Sequence, residues 1–322
     1  MSSRQQVMNR IVLALVGAAL AVSASIANAD EERHAGTSVQ LWSVKDQVSE
    51  DIRGTLEDLA DMGFDGIELA GNLGEFTGEP EAFKAYLNSL GLEVSGAHVG
   101  VDQFNDANFA DTIELYRTLG VDRLIVPMDA RAWDPERIDD LIADLNRIAE
   151  QLKPYGMKTG YHNHHREFDP YKDTTFWDYL ADNTADDVLL QLDVGWTYFA
   201  GKDPAEVIDR YRSRIETVHF KAQMTRYADI RDQAQAATGA DNPFGEFGVI
   251  FQHNQKAADS SDTHQPLIGQ DSLDWQAIIE ALEGEGDPVW YVVEQEIYPN
   301  DMPPMKAVEI SMDGLQDELN NN

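Results

Sequence analysis

Apolar positions along the chain change period repeatedly. Ile138, Leu141, Ile142, Leu145 and Ile148 recur at steps of three and four, the spacing of a one-sided helix. Short apolar runs such as RLIV (123–126) and LLQLD (189–193) read instead as buried strands. Four stretches repeat one order of events: DLADMGFDGIELAG (58–71), YLNSLGLEVSGAHVG (86–100), LYRTLGVDRLIVP (115–127) and QLKPYGMKTGYHNH (151–164). In each, a helical pattern stops at a glycine and a strand follows. Gly63, Gly91, Gly120 and Gly156 take the left-handed conformation that ends a helix. Helix starts agree, with Ser49, Asp134-Pro135 and Asp203-Pro204 placing a capping side chain or a first-turn proline ahead of a periodic stretch.

Strands are predicted at 39–42, 66–69, 94–98, 123–126, 159–162, 188–193, 217–220 and 289–294, alternating with helices. Eight βα units close into a (β/α)8 TIM barrel, with an open doubly wound sheet as the alternative. The barrel is favoured because no glycine-rich phosphate turn follows the first strand. In addition, Gln40, Glu68, His98, His162, Asp193, His219 and Glu294 all fall at or near strand C-terminal ends, where barrel active sites are built. Residues 221–272 are too long for an ordinary βα connection and predict an insertion after strand seven that faces substrate. His253 and His264 within it read as exposed loop histidines.

Residues 1–29 stand apart. Arg4 and Arg10 are their only charged side chains, 11–26 is mostly apolar, and Ala27-Asn28-Ala29 offers small residues for cleavage before Asp30. This predicts a secretory signal peptide, a single domain over 30–322, and a periplasmic or secreted protein with no membrane attachment after cleavage. The whole chain has 24 basic and 58 acidic side chains, a net charge of −34. Loss of Arg4 and Arg10 makes the remainder more acidic still. Such a surface repels phosphate backbones, so nucleic acid is excluded as a partner. The chain has no cysteine, so a bound metal would have nitrogen and oxygen ligands, which suits Mn, Zn, Mg or a similar divalent ion.

Candidate chemistry centres on KTGYHNHHREF (158–168), which gathers three of the chain's eight histidines. Read as a strand entering a loop, it points His162 and His164 to one side and Tyr161 and Asn163 to the other. Glu167 or Asn163 is placed to fix an imidazole tautomer. The later strand ends add Asp193, His219 and Glu294. With His162 or His164 they make a mixed His/carboxylate set suited to one divalent cation with open positions for substrate.

These motifs resemble the xylose-isomerase-like TIM barrels, a family that includes sugar isomerases and epimerases, inosose dehydratase and enzymes acting on 3-keto sugars. The resemblance rests on VQLWSVKD (39–46), GFDGIELAG (63–71), GYHNHHREF (160–168), LQLDVGWTYFAGKDP (190–204), RIETVHFKA (214–222), GQDSLDW (269–275) and VVEQE (292–296), spread over nearly all of the chain after residue 29. It implies a metal held by residues of strands five to eight. Asp193, His219 and Glu294 fall on the family's ligand positions. His162 stands where many of its epimerases carry a glutamate serving as both ligand and base, and Ala222 replaces an acid frequent in one branch. The HNH form is more similar to the dehydratase and keto-sugar branch.

The implied activity is that of a metal-dependent sugar or keto-sugar isomerase, epimerase or lyase, which removes a proton next to a carbonyl through a metal-stabilised enediolate. His164, Glu167 and Glu296 are the candidate acids and bases, and Lys221 is a candidate oxyanion partner. Glu68, His98, Asn163 and Trp196 are candidate substrate contacts, and Trp42 and Phe199 are further apolar faces for a sugar ring. The competing class is a non-catalytic carbohydrate-binding barrel.

Overall fold

The computed structural model describes residues 36–239, 242, 244–283 and 289–321. The expected signal peptide lies outside the described residues. Eight parallel strands form a closed barrel: β1 (Thr37–Gln40), β2 (Gly66–Leu69), β3 (Glu93–His98), β4 (Arg123–Val126), β5 (Lys158–His162), β6 (Leu189–Asp193), β7 (Thr217–Phe220) and β8 (Trp290–Val293). Each strand pairs with its sequence neighbours, and β8 pairs with β1 to close the ring.

Helices follow the strands at Lys45–Asp61, Pro80–Leu90, Phe109–Leu119, Ile138–Leu152, Phe176–Asn183, Pro204–Tyr211, Trp275–Leu282 and Pro304–Asn320. Their apolar stripes account for the packing. Ile138, Leu141, Ile142, Leu145 and Ile148 are all buried, each stabilising the fold by roughly 1.5–3 kcal/mol through removal of a large apolar side chain from water. The four predicted helix stops all have positive φ: Gly63 (89°), Gly91 (76°), Gly120 (80°) and Gly156 (69°). Asp203 caps its helix as expected, accepting the Ala205 N–H at 2.9 Å, whereas Asp134 accepts the Glu136 N–H at 2.9 Å in the turn that leads into the helix starting at Ile138.

Several strand ends shift by a residue or two, so that the last strand stops at Val293 and Glu294 lies just beyond it, and two boundaries near the start of the chain differ for a visible reason. The first strand ends at Gln40 rather than residue 42, because the Gln40 side chain accepts the Trp42 N–H at 3.2 Å and turns the chain into the 3-10 helix Leu41–Val44. The first helix begins at Lys45, so Ser49 lies within it and donates to Lys45 O at 2.8 Å. The capping role belongs to Asp51, which has non-helical dihedrals (φ −153°, ψ 87°) and accepts the Gly54 N–H at 3.0 Å.

After β7 the chain leaves the regular alternation and forms the helices Arg231–Ala237 and Gly245–Asp259 before returning at Trp275. These helices have a separate apolar cluster, in which Tyr227, Ile230, Ala234 and Ile250 pack with Trp196 and Phe199 beyond β6. His253 sits half-buried in the longer helix, and His264 is half-buried with Nε2 2.8 Å from Ser272 Oγ. Neither is exposed as expected: His253 is carried by a helix, and His264, although in a loop, is folded back onto Ser272.

Candidate metal centre and its cavity

Register brings the strand-end residues together. His162 pairs with Gln191, Asp193 pairs with His219, and His219 pairs with Val292, two positions before Glu294. Period-two alternation then aims all of these polar side chains into the barrel. His162, Asp193, His219 and Glu294 are buried, and each offers one donor atom to a group whose members lie within 4.8 Å of one another. These are the four residues that the resemblance implied as ligands, and the fold brings them together.

The surrounding hydrogen bonds fix how these donors point. Gln191 Oε1 lies 3.1 Å from His162 Nδ1 and 2.8 Å from His98 Nε2, while its amide nitrogen donates to Glu68 Oε1 at 2.6 Å and Thr217 Oγ1 at 3.2 Å. An amide oxygen only accepts, so both imidazoles present N–H groups to it and His162 Nε2 carries the bare lone pair. That nitrogen lies 3.9 Å from Asp193 Oδ2. Asp193 Oδ1 accepts the Trp196 N–H at 2.7 Å, whereas its buried Oδ2 has no hydrogen-bond partner and lies 3.4 Å from Lys221 Nζ. His219 spans two carboxylates, with Nδ1 2.7 Å from Glu294 Oε2 and Nε2 2.6 Å from Glu68 Oε2.

Electrostatics follow from this packing. Burial opposes a charge on His219, yet Glu68 and Glu294 on its two sides raise it to about 10. Burial pushes Asp193 up to about 7. Burial also opposes ionisation of Glu294, but Lys221 and His219 outweigh it and hold the carboxyl well below its ordinary range. His162 is driven down by burial and by its imidazole neighbours, which leaves it neutral. Two carboxylates, one of them with a buried oxygen that lacks a hydrogen bond, a neutral imidazole with its lone pair aimed inward, and His219, which would give up its Nδ1 proton to bind, form a donor set that fits a divalent cation.

Two of the four donors, His162 and Glu294, line a cavity of about 610 Å³, with His98, His164 and Glu296 among its other polar residues, and Asp193 and His219 lie behind them. His164 is half-buried, its Nδ1 has no hydrogen-bond partner, and its ring lies 5.1 Å from that of His162. Lys221 is paired with Glu296 and stands 3.2 Å from Glu294 Oε2.

Five expected site residues turn out otherwise. Glu68 is wholly buried and does not line the cavity; its oxygens are taken by Gln40, Gln191 and His219. It lies behind His219 and holds its Nε2 side. Asn163 points away from His162 as the alternation required, and its Oδ1 accepts the Asp193 N–H at 2.9 Å, tying β5 to β6. Trp196 is 2% exposed and packs on His164, His165 and Phe247. Phe199 is fully buried in the same cluster. Glu167 sits on the Tyr161 side, accepting from Tyr161 Oη at 2.9 Å and from the His164 N–H at 3.0 Å, and burial pushes it up to about 7. It braces the loop from behind and does not line the cavity.

Gln191 and the cavity's aromatic wall were missed. Gln191 stands two positions before Asp193, so the same alternation placed it inward, and that spacing was the available signal. Phe244, Phe247 and Phe251 reach the cavity from the insertion. Their positions depend on how that helix docks, which local patterning does not encode.

The profile of the xylose isomerase-like TIM barrel family matches residues 56–318. The chain is 24% identical over 275 residues to an inosose dehydratase of Lacticaseibacillus casei, covering 78% of this chain and 84% of that one. It is 26% identical over 284 residues to the rhizopine catabolism protein MocC of Rhizobium meliloti, covering 81% and 79%. In fold it is similar to a sugar phosphate isomerase/epimerase from Parabacteroides distasonis (TM-score 0.66, 19% identity, 89% of this chain and 98% of that one). It is also similar to the 3-keto-D-glucoside 4-epimerase YcjR of E. coli (TM-score 0.54, 18% identity, 88% and 99%).

Proposed function

Because the chain belongs to the xylose isomerase-like TIM barrel family, we propose that it is a divalent-metal-dependent enzyme acting on a cyclic sugar, keto sugar or related polyol by removing a proton next to a carbonyl. The observation that carries the proposal is the convergence of four buried donors, His162, Asp193, His219 and Glu294, at the base of the cavity, with Asp193 Oδ2 lacking a hydrogen bond and lying 3.4 Å from Lys221 Nζ. These four residues would hold the cation. When bound, such an ion polarises a carbonyl and stabilises negative charge developing on its oxygen.

The remaining work falls to the chain's own groups. His164, a cavity-wall residue whose Nδ1 makes no hydrogen bond, is the group assigned to accept the carbon-bound proton. Glu296 reaches the same cavity, and burial raises its carboxyl against the pull of Lys221, so in its protonated form it can deliver a proton to an oxygen on its side of the substrate. Lys221 also lies against Asp193 and Glu294, and its positive charge offsets two carboxylates crowded at the floor. His98, with Nε2 directed to Gln191, presents its other ring nitrogen towards substrate hydroxyls. The inosose dehydratase and the 3-keto-D-glucoside epimerase named above suggest ketones of six-membered polyol rings as the first substrates to try.

The test is NMR of such ketones in deuterium oxide with the manganese- or magnesium-loaded protein. Exchange of the proton alpha to the carbonyl is expected. Binding without exchange across the panel would favour a carbohydrate-binding barrel instead. The proposal includes export, supported by the apolar run 11–26 and the small residues before Asp30. Mass spectrometry of the protein from its own cells should find a chain beginning at or near Asp30.

A further inference from the structure

The outer part of the cavity differs chemically from its floor. Among the described residues three large apolar side chains are well exposed, Trp42 (47%), Tyr155 (46%) and Phe244 (40%), and two of them, Trp42 and Phe244, line this one cavity. They come from distant parts of the chain, the turn after β1 and the insertion. Phe247 and Phe251, one helical turn apart, add two more rings from the Gly245–Asp259 helix, and Met128 adds a thioether. Exposed aromatic surface gathered in one concave place, not scattered, marks a contact site.

Polar capacity there is small. The Tyr298 hydroxyl is engaged with Ser43 O at 2.6 Å and Gln295 O at 2.9 Å. Lys45 is a cation of this lining, and its Nζ lies 5.1 Å over the Trp42 ring. A second sugar ring would bring several hydroxyls that need partners, and the aromatic wall leaves them unpaired. A phosphate would meet one lysine opposite Glu294 and Glu296 in a chain of net charge −34. An aryl group needs no partner and gains from edge and offset contacts with the rings. The cavity, at about 610 Å³, is in the size range that accepts drug-sized ligands and exceeds the needs of one sugar ring.

We propose that this aromatic vestibule is a subsite for an apolar, aryl-sized aglycone, so that the enzyme works on glycosides rather than free sugars. The inference rests on the sugar-enzyme reading above and names its substrate class. It is tested by calorimetric titration of the manganese-loaded protein with matched methyl and phenyl β-glycosides of glucose and of galactose, with cellobiose and lactose alongside. In at least one pair the phenyl glycoside should bind tighter by about tenfold or more. Phe244→Ala and Trp42→Ala, both at exposed positions, should each cut that advantage to about threefold or less, with circular dichroism unchanged. Equal affinity within both pairs, absence of binding by every glycoside included, overturns the proposal. So does a disaccharide that binds as tightly as the phenyl glycoside. Alpha-proton exchange with a free keto sugar, measured on the same samples, separates the two claims. Exchange without a phenyl preference removes the aglycone subsite and leaves the enzyme, whereas a phenyl preference without exchange removes the enzyme and leaves the subsite.

Discussion

Glu68 on β2 and His219 on β7 meet across the barrel interior, with 2.6 Å between Oε2 and Nε2. The contact directs the other ring nitrogen, Nδ1, to the candidate metal donors. A carboxylate in this position raises ligand basicity and fixes the ring. Glu68→Gln keeps the shape but loses the charge, so metal affinity should fall by about 10- to 100-fold while the fold persists. Elemental analysis after dialysis against graded chelator checks this. Unchanged affinity would mean that His219 needs no support.

The two strand-five histidines should separate cleanly. His162 belongs to the four-donor group and His164 lines the cavity outside it. His162→Ala should lose metal, and His164→Ala should keep it while losing turnover by about 100-fold or more. Metal lost only from His164→Ala reverses the assignment.

Glu167 predicts a stability effect. Removing it leaves the Tyr161 hydroxyl and the His164 N–H without their acceptor in a buried place. Glu167→Ala should cost about 1–3 kcal/mol in chemical denaturation and leave metal content intact. A variant as stable as the parent but stripped of metal would move Glu167 back into the site.

Acid should loosen the insertion before the barrel. Glu246 is buried and accepts from Arg166 Nη1 and from Tyr227 Oη, each at 2.9 Å, with His165 Nε2 at 3.4 Å. Burial pushes its carboxyl up, but His165 and Arg166 outweigh that and hold it at about 2. A carboxyl depressed in the folded state adds stability that is fully present above its ordinary value of 4.5 and is lost as pH falls towards 2. Tryptophan fluorescence, reporting Trp196 in the insertion's cluster, should therefore change between these values, and Glu246→Gln should flatten that change. Identical acid transitions in both proteins would show that Glu246 is not the anchor.

Whatever depended on local period was legible in the sequence. The four glycine stops fixed helix ends, and alternation within LLQLD and KTGYH decided which side chains face inward, so His162, Asp193, His219 and Glu294 could be named as one site. Whatever depended on cross-strand partners was not. Glu68 looked like a substrate contact because it ends a strand, and only the pairing of Gln40 with Glu68 and the reach to His219 made it a support. Glu167 lies five residues from His162 in sequence, yet the bend after β5 carries it to the opposite side. The aromatic wall required knowing where the Gly245–Asp259 helix lands.

That helix is held by its own cluster and by Glu246, and it meets the strand-five histidines through the ring of Phe247, 5.4 Å from that of His164. None of the four candidate ligands comes from it. Floor and roof are thus written in different stretches of the chain. Side chains at 247 and 251 contribute none of the candidate donors and reach them through Trp196 and His164, so one reaction can acquire a new clientele by editing a single segment.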